Sequence, residues 1–187
     1  LKDYSFKYPR QVDLANEDSI DKFSLEVKND GVKVDALINN AGAFLNKPFE
    51  KISKKEFEYI FQVNVFGLSS ITRKVLPIID SKGHIVNITS MGGINGAAKF
   101  TGLSAYSSSK GAVNILTELL AEEYKEKGPS FNALAFGAVQ TEMLEEAFPG
   151  LKAPISAKEI ADFILDFSLQ GQKYFNGKII PVSSTTP

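Results

Sequence analysis

Short, nearly uninterrupted apolar runs alternate along this chain with longer segments of helical period. The runs fall at residues 34–38, 84–89, 131–136 and 178–182, with a shorter candidate at 11–14. The periodic segments fall between them, at 16–28, 53–76, 104–127 and 156–169. A strand with one wet face alternates apolar and polar residues, whereas a strand covered on both faces reads as a continuous run. Strand and helix in turn, with runs of the second kind, predict an α/β fold: a parallel, doubly wound sheet between two helical layers. Its crossovers are expected to be right-handed. The punctuation agrees. Asn16 can cap the first helix, and Ser53 with Glu56 and Ser156 with Glu159 form capping boxes. Pro77 and Gly128-Pro129 stop helices, and Asn176-Gly177 turns into the last strand.

Composition narrows the function. With 187 residues, one domain is expected. Lys and Arg number 21 against 22 Asp and Glu, so no basic field points to a nucleic-acid or anionic-membrane partner. The sequence holds no Cys and a single His, His84. Thiolate chemistry, a His-based triad and a multi-His metal site therefore have no residues to build them, and no metal is expected. No apolar run approaches the roughly 18 residues of a membrane span. The composition fits the cytoplasm.

In open parallel sheets, ligands bind at the carboxyl ends of the strands, and the chemically informative residues fall there. Tyr106 and Lys110 are four apart in a helical segment and so share a face. A nearby ammonium favours a phenolate, which makes the pair a candidate proton-transfer device. The helical stripe Tyr106, Lys110, Val113, Thr117 turns Lys110 inward, where an unpaired charge is costly without a polar ligand. Ser90 follows a strand and is either a turn residue or a donor to a carbonyl oxygen. Asn64 interrupts an apolar stripe and either braces a kink, helped by Gly67, or holds a water. Asn39-Asn40-Ala41-Gly42 reads as a turn small enough for a flat ligand to approach. The glycine-rich 92–96 lacks phosphate-loop spacing and flanks the site. A second Tyr-Lys pair, Tyr174 and Lys178, straddles a turn and reads as structural, as does His84 at a strand start.

Taken together and in order, these motifs resemble the short-chain dehydrogenase/reductase family in its single-domain branch, and most of all its 3-oxoacyl-carrier-protein reductases and ketoreductases. The residues that carry the resemblance are Asn39–Gly42 by number, Asn64, Ser90 in Asn87-Ile88-Thr89-Ser90, Tyr106 with Lys110, and the stretch 132–141. It implies a Rossmann-like three-layer αβα domain spanning 1–187, carrying the family's strands 3 to 7. It implies an NAD(P)(H)-dependent oxidoreductase that interconverts a carbonyl and a secondary alcohol. Tyr106 would be the acid or base, Lys110 would tune it and hold the nicotinamide ribose, Ser90 would orient the carbonyl, and Asn64 would hold a water. NADP or NAD would also meet Asp13 at the adenine, Asn39, Ala41 and Gly42 beside the adenosine, and Gly137, Val139 and Thr141 on the carboxamide and phosphate side.

There are departures. Phe136-Gly137 replaces the family's Pro-Gly, the Ser90–Tyr106 spacing is long, and the usual Asp-Gly-Gly near the end is absent from 182–184. The family's first βαβ portion, with its glycine-rich phosphate loop, has no counterpart here, and an upstream segment supplying it is expected. Residues 141–155 are expected to form a substrate lid. With Met91, Ile94 and Phe100 opposite, they suggest an apolar pocket for a ketone or aldehyde. Ala112, Ile115, Leu116 and Leu119 give the Tyr106 helix a second apolar side, and the resemblance implies a homodimer or homotetramer. The competing readings are a catalytically silent binding or regulatory protein on the same fold, and a lyase or epimerase using the same Tyr-Lys pair.

Overall fold

The computed structural model describes residues 9–31 and 33–183. Four strands, β1 (Val34–Asn39), β2 (Ile79–Ser90), β3 (Ser130–Phe136) and β4 (Lys178–Val182), form one sheet in the order β1-β2-β3-β4. All three pairings are parallel. Ser90 lies opposite Phe136, and Phe136 opposite Val182, so the carboxyl ends of three strands finish level. This common edge gathers the candidate residues.

Helices cover both faces, which is why the strands read as continuous apolar runs. On one face α4 (Ser104–Glu123) packs Ala121, Leu120 and the following Tyr124 against Ile85 and Phe131. Beside it α1 (Glu17–Asn29) and α3 (Leu68–Val75) bury Ile20, Ile71 and Val75 against Leu37. On the other face α6 (Ala157–Gln170) lays Ile164 and Phe167 over Val86, Ile88 and Leu134. Ile85, Phe131 and Leu134 are wholly buried, and each side chain of this size contributes about 1.5–3 kcal/mol. The expected caps form: Asn16 accepts from Ser19 N at 3.2 Å, and both capping boxes are closed.

Three expectations need correction. Residues 11–14 do not form a strand. No strand among the described residues lies beside them, so their polar groups turn inward on a local bend: Asp13 O accepts from Asn16 N at 3.1 Å, and Asp13 Oδ1 from Ala15 N at 2.8 Å. The described sheet therefore carries four of the five expected strands. Next, β2 begins at Ile79, ahead of the apolar run at 84. Ile79 pairs with Val34, residues 80–83 bulge out, and pairing resumes at His84 opposite Ala36. Finally, the helix expected over 53–76 is broken. α2 (Lys54–Phe61) leads into a π-helical turn, Gln62–Gly67, before α3 resumes. Asn64 and Gly67 both lie in that turn, where a widened helix re-aims a side chain.

Candidate active site

Lys110 is 5% exposed, well inside the fold. Its Nζ donates to Ile88 O, near the end of β2, at 2.9 Å. It also stands 5.7 Å from the centre of the Tyr106 ring one helical turn away. Ser90 is the last residue of β2. Its Oγ accepts from Gly92 N at 3.2 Å. The Ser90 hydroxyl also interacts with the Tyr106 phenol. Tyr106, Lys110 and Ser90 are thus brought together at the level carboxyl edge of the sheet.

The electrostatics differ from the expectation that the ammonium lowers the phenol's pKa. Burial dominates and pushes Tyr106 up to about 12, with the Ser90 hydroxyl opposing it. The same burial pushes Lys110 down to about 8.

Asn64 is buried and fully engaged. Its Oδ1 accepts from Ala43 N at 2.7 Å, and its Nδ2 donates to Ala43 O at 2.9 Å and to Ser109 Oγ at 3.0 Å. Ser109 Oγ in turn donates to Tyr106 O at 2.7 Å. The π-turn thereby ties the loop after β1 to the helix that carries Tyr106 and Lys110. Of the two roles left open for Asn64, bracing is the one its side-chain contacts perform.

Asn39, expected beside the adenosine, spends its amide inside the protein. Nδ2 donates to Thr72 Oγ1 at 3.0 Å and to Asn87 Oδ1 at 2.8 Å. Asn87 Nδ2 continues to Thr117 Oγ1 at 2.8 Å. This buried chain fastens β1 and β2 to α3 and α4, each link contributing about 1 kcal/mol. Ala41 is exposed and Gly42 half-buried. A Cβ built on Gly42 would lie 3.2 Å from Asn64 Oδ1 and 3.3 Å from Lys110 Nζ. Gly137 follows β3, and a Cβ there would lie 2.4 Å from Ser183 Oγ. Val139 is buried, whereas Thr141 is exposed and its Oγ1 accepts from Leu144 N at 3.2 Å, capping α5 (Glu142–Ala147). Asp13 is exposed in the bend before α1. The second Tyr-Lys pair does not join the cluster: Tyr174 is 79% exposed, away from the strands' carboxyl edge, and Lys178 opens β4.

Residues the sequence reading missed also matter. The Phe44 ring lies against Tyr106, centroids 4.9 Å apart. Asn114 Nδ2 donates to Gly93 O at 3.1 Å and clips the turn after Ser90 onto α4. Ser109 was legible only as the third residue after Tyr106; an apolar Phe44 gave no signal.

A buried ammonium with one protein acceptor and three hydrogens to give, beside a side-chain-free notch at Gly42, fits the vicinal hydroxyls of a ribose. The parallel sheet and its two helical layers, with this cluster at the strand ends, define a Rossmann-like protein. The chain belongs to the short-chain dehydrogenase family: the model described as "short chain dehydrogenase" matches residues 5–152. It is 37% identical over 138 residues to an L-2,3-butanediol dehydrogenase of Corynebacterium glutamicum, covering 72% of this chain and 52% of that protein. It is 31% identical over 185 residues to the 3-oxoacyl-[acyl-carrier-protein] reductase FabG of Aquifex aeolicus, covering 92% of this chain and 73% of that one. The fold matches a short-chain dehydrogenase from Burkholderia cenocepacia, solved in complex with NADP, with a TM-score of 0.83 at 20% identity over 94% of this chain and 75% of that chain. The chain spans about half the length of several curated relatives it matches. Among the described residues, no helix is long and apolar enough to cross a membrane.

Proposed function

We propose that the protein is an NAD(P)(H)-dependent oxidoreductase that interconverts a carbonyl and a secondary alcohol, with Tyr106 as the acid or base. The single observation that carries this is the buried Lys110 ammonium held between Ile88 O and the Tyr106 ring, beside Ser90. Bound NAD(P)H would supply the hydride. Lys110 would hold the ribose hydroxyls, with Gly42 giving room for them. Ser90 would donate to the substrate oxygen, and Tyr106 would pass its proton to that oxygen as negative charge develops there. Asn64 and Ser109 would keep the turn bearing Tyr106 and Lys110 in place.

A Tyr106 pushed up to about 12 carries its proton near neutral pH, and an ammonium at Lys110 favours the phenolate and opposes that rise.

A homodimer or homotetramer belongs to the same proposal, with the exposed Ile115 and Leu119 of α4 at the contact. Light scattering checks it. The catalytic reading is tested by following reduced-nicotinamide absorbance across a panel of carbonyl compounds. Carbonyl-dependent loss of the absorbance supports it. Cofactor binding without any turnover supports instead the silent binding protein that the altered 136–137 pair leaves as the competing reading.

A further inference from the structure

The loop that follows β1 is pinned at two points, Ala43 and Lys47. At Ala43 both main-chain groups are held by Asn64 of the π-turn, at 2.7 and 2.9 Å. At Lys47 the main-chain N–H donates to Gly102 O, just ahead of α4, at 2.9 Å. Its Nζ meets both carboxylate oxygens of Glu56, at 2.7 and 3.0 Å. Glu56 is itself fixed, because it closes the capping box of α2. Phe44 lies between these two anchors. Its ring is half-buried and packs on Tyr106, centroids 4.9 Å apart and planes tilted by 59°.

The other side of the contact is braced as well. Ser109 Oγ donates to Tyr106 O at 2.7 Å and accepts from Asn64 Nδ2 at 3.0 Å. One amide therefore holds both the backbone beside Phe44 and the turn that bears Tyr106. A tyrosine on a helix has two common χ1 rotamers, and they carry its hydroxyl to different places. A tilted aromatic contact of this kind biases two such rotamers by about 2- to 10-fold. It also keeps water off one flank of the phenol, and burial is what pushes Tyr106 up to about 12. The core does not depend on Phe44, which lies outside the three apolar clusters that hold the helices on the sheet.

We infer that Phe44 is a positioning residue for the proton transfer assigned to Tyr106: its ring, held by the Asn64 and Lys47 anchors, fixes the phenol at the sheet edge and shields it from bulk water. This rests on the oxidoreductase reading above. Phe44 has no group that can exchange a proton, so it acts only through Tyr106. Removing its ring frees the phenol to leave the rotamer that meets Ser90, and lets water compete with the substrate for its hydrogen bond. Lys110 is held by Ile88 O, not by Phe44, so the grip on the cofactor is separate.

Phe44→Ala and Phe44→Leu in the full chain test this through two readouts. The first needs no turnover: nitration by tetranitromethane at mildly alkaline pH, read residue by residue in peptide mass spectra, because the reagent attacks exposed phenolates. Tyr174, 79% exposed, is the internal reference. Tyr106 should react several-fold faster in Phe44→Ala than in the wild type, with Tyr174 unchanged and Phe44→Leu close to the wild type. The second is carbonyl-dependent consumption of NAD(P)H. Phe44→Ala should lower kcat by about tenfold or more, as a misplaced reacting group does, with cofactor affinity nearly unchanged. Phe44→Leu, which keeps the cover, should restore most of the rate. Equal Tyr106 nitration in Phe44→Ala and the wild type overturns the inference. So does an unaltered kcat, or a leucine variant as slow as the alanine one. If nitration responds as expected but the wild type turns over no carbonyl, the oxidoreductase reading falls and takes the role of Phe44 with it. Turnover with unresponsive nitration overturns that role alone.

Discussion

Asn64 holds both main-chain groups of Ala43, accepting from its N–H at 2.7 Å and donating to its carbonyl at 2.9 Å. One amide thus closes a miniature ladder between a π-helical turn and the loop after β1, and its remaining hydrogen reaches Ser109 on the Tyr106 helix.

Asn64→Ala removes all three bonds and strands buried partners. The expected loss is about 2–3 kcal/mol in urea unfolding. Asn64→Asp should also lose stability, because a carboxylate can accept from Ala43 N but has nothing to donate to Ala43 O or Ser109. A variant as stable as the parent would show that the ladder carries no energy.

Gly67 sits in the same turn, and a Cβ on it would lie 2.1 Å from Leu14 O. The obstacle is backbone, so a side chain cannot swing aside. Gly67→Ala should displace the 10–15 segment and cost about 1–3 kcal/mol. Faster proteolysis before α1, alongside a lower unfolding midpoint, is the expected readout.

Lys110 gives a pH signature. Its pKa is pushed down to about 8 in the fold, against about 10.4 in an unfolded chain. Between these values the unfolded state binds more protons, so this group's contribution to stability rises with pH there. The slope is at most about 1.4 kcal/mol per pH unit for one proton. Unfolding free energy measured from pH 7 to 10.5 should rise relative to Lys110→Met across that window. Parallel curves for the two proteins would contradict it.

His84 should act on the acid side. Asn132 is fixed by Lys178 N, which donates to its Oδ1 at 3.0 Å, so its Nδ2 must face the imidazole Nε2 at 2.9 Å. That nitrogen is therefore an acceptor, and the proton sits on Nδ1, facing Ser168 O at 3.2 Å. Phe167 of α6 packs against the ring. Burial lowers the pKa against the opposing backbone bonds. The unfolded state then binds the extra proton first, and stability should fall as pH drops below about 6.5. His84→Gln should lack this acid-side slope in chemical unfolding, whatever its stability at neutral pH.

How much of this was legible beforehand follows from the range of the interactions. The layers were legible because burial on both faces writes itself locally as apolar runs, and Lys110 was placed inward by its stripe on α4. The π-turn left a trace, a polar Asn64 on an apolar face with Gly67 three residues on. Asn39 could not be read: its amide partners, Thr72 and Asn87, lie 33 and 48 residues away. Residues 11–14 have strand composition, but a strand is a pairing, and none of the described residues offers one. The phenol's pKa was misjudged because four-residue spacing gives the proximity of Lys110 but not whether burial or the charge wins.

The central claim is that Tyr106 passes the proton while Lys110 beside it holds the ligand. Comparing the wild-type chain with Tyr106→Phe in carbonyl-dependent consumption of NAD(P)H tests it most directly, with cofactor affinity measured on both. The expected result is a rate lower by about 10²–10⁴-fold with affinity nearly unchanged, the range a positioned acid supplies. Equal rates in the two proteins would contradict the account.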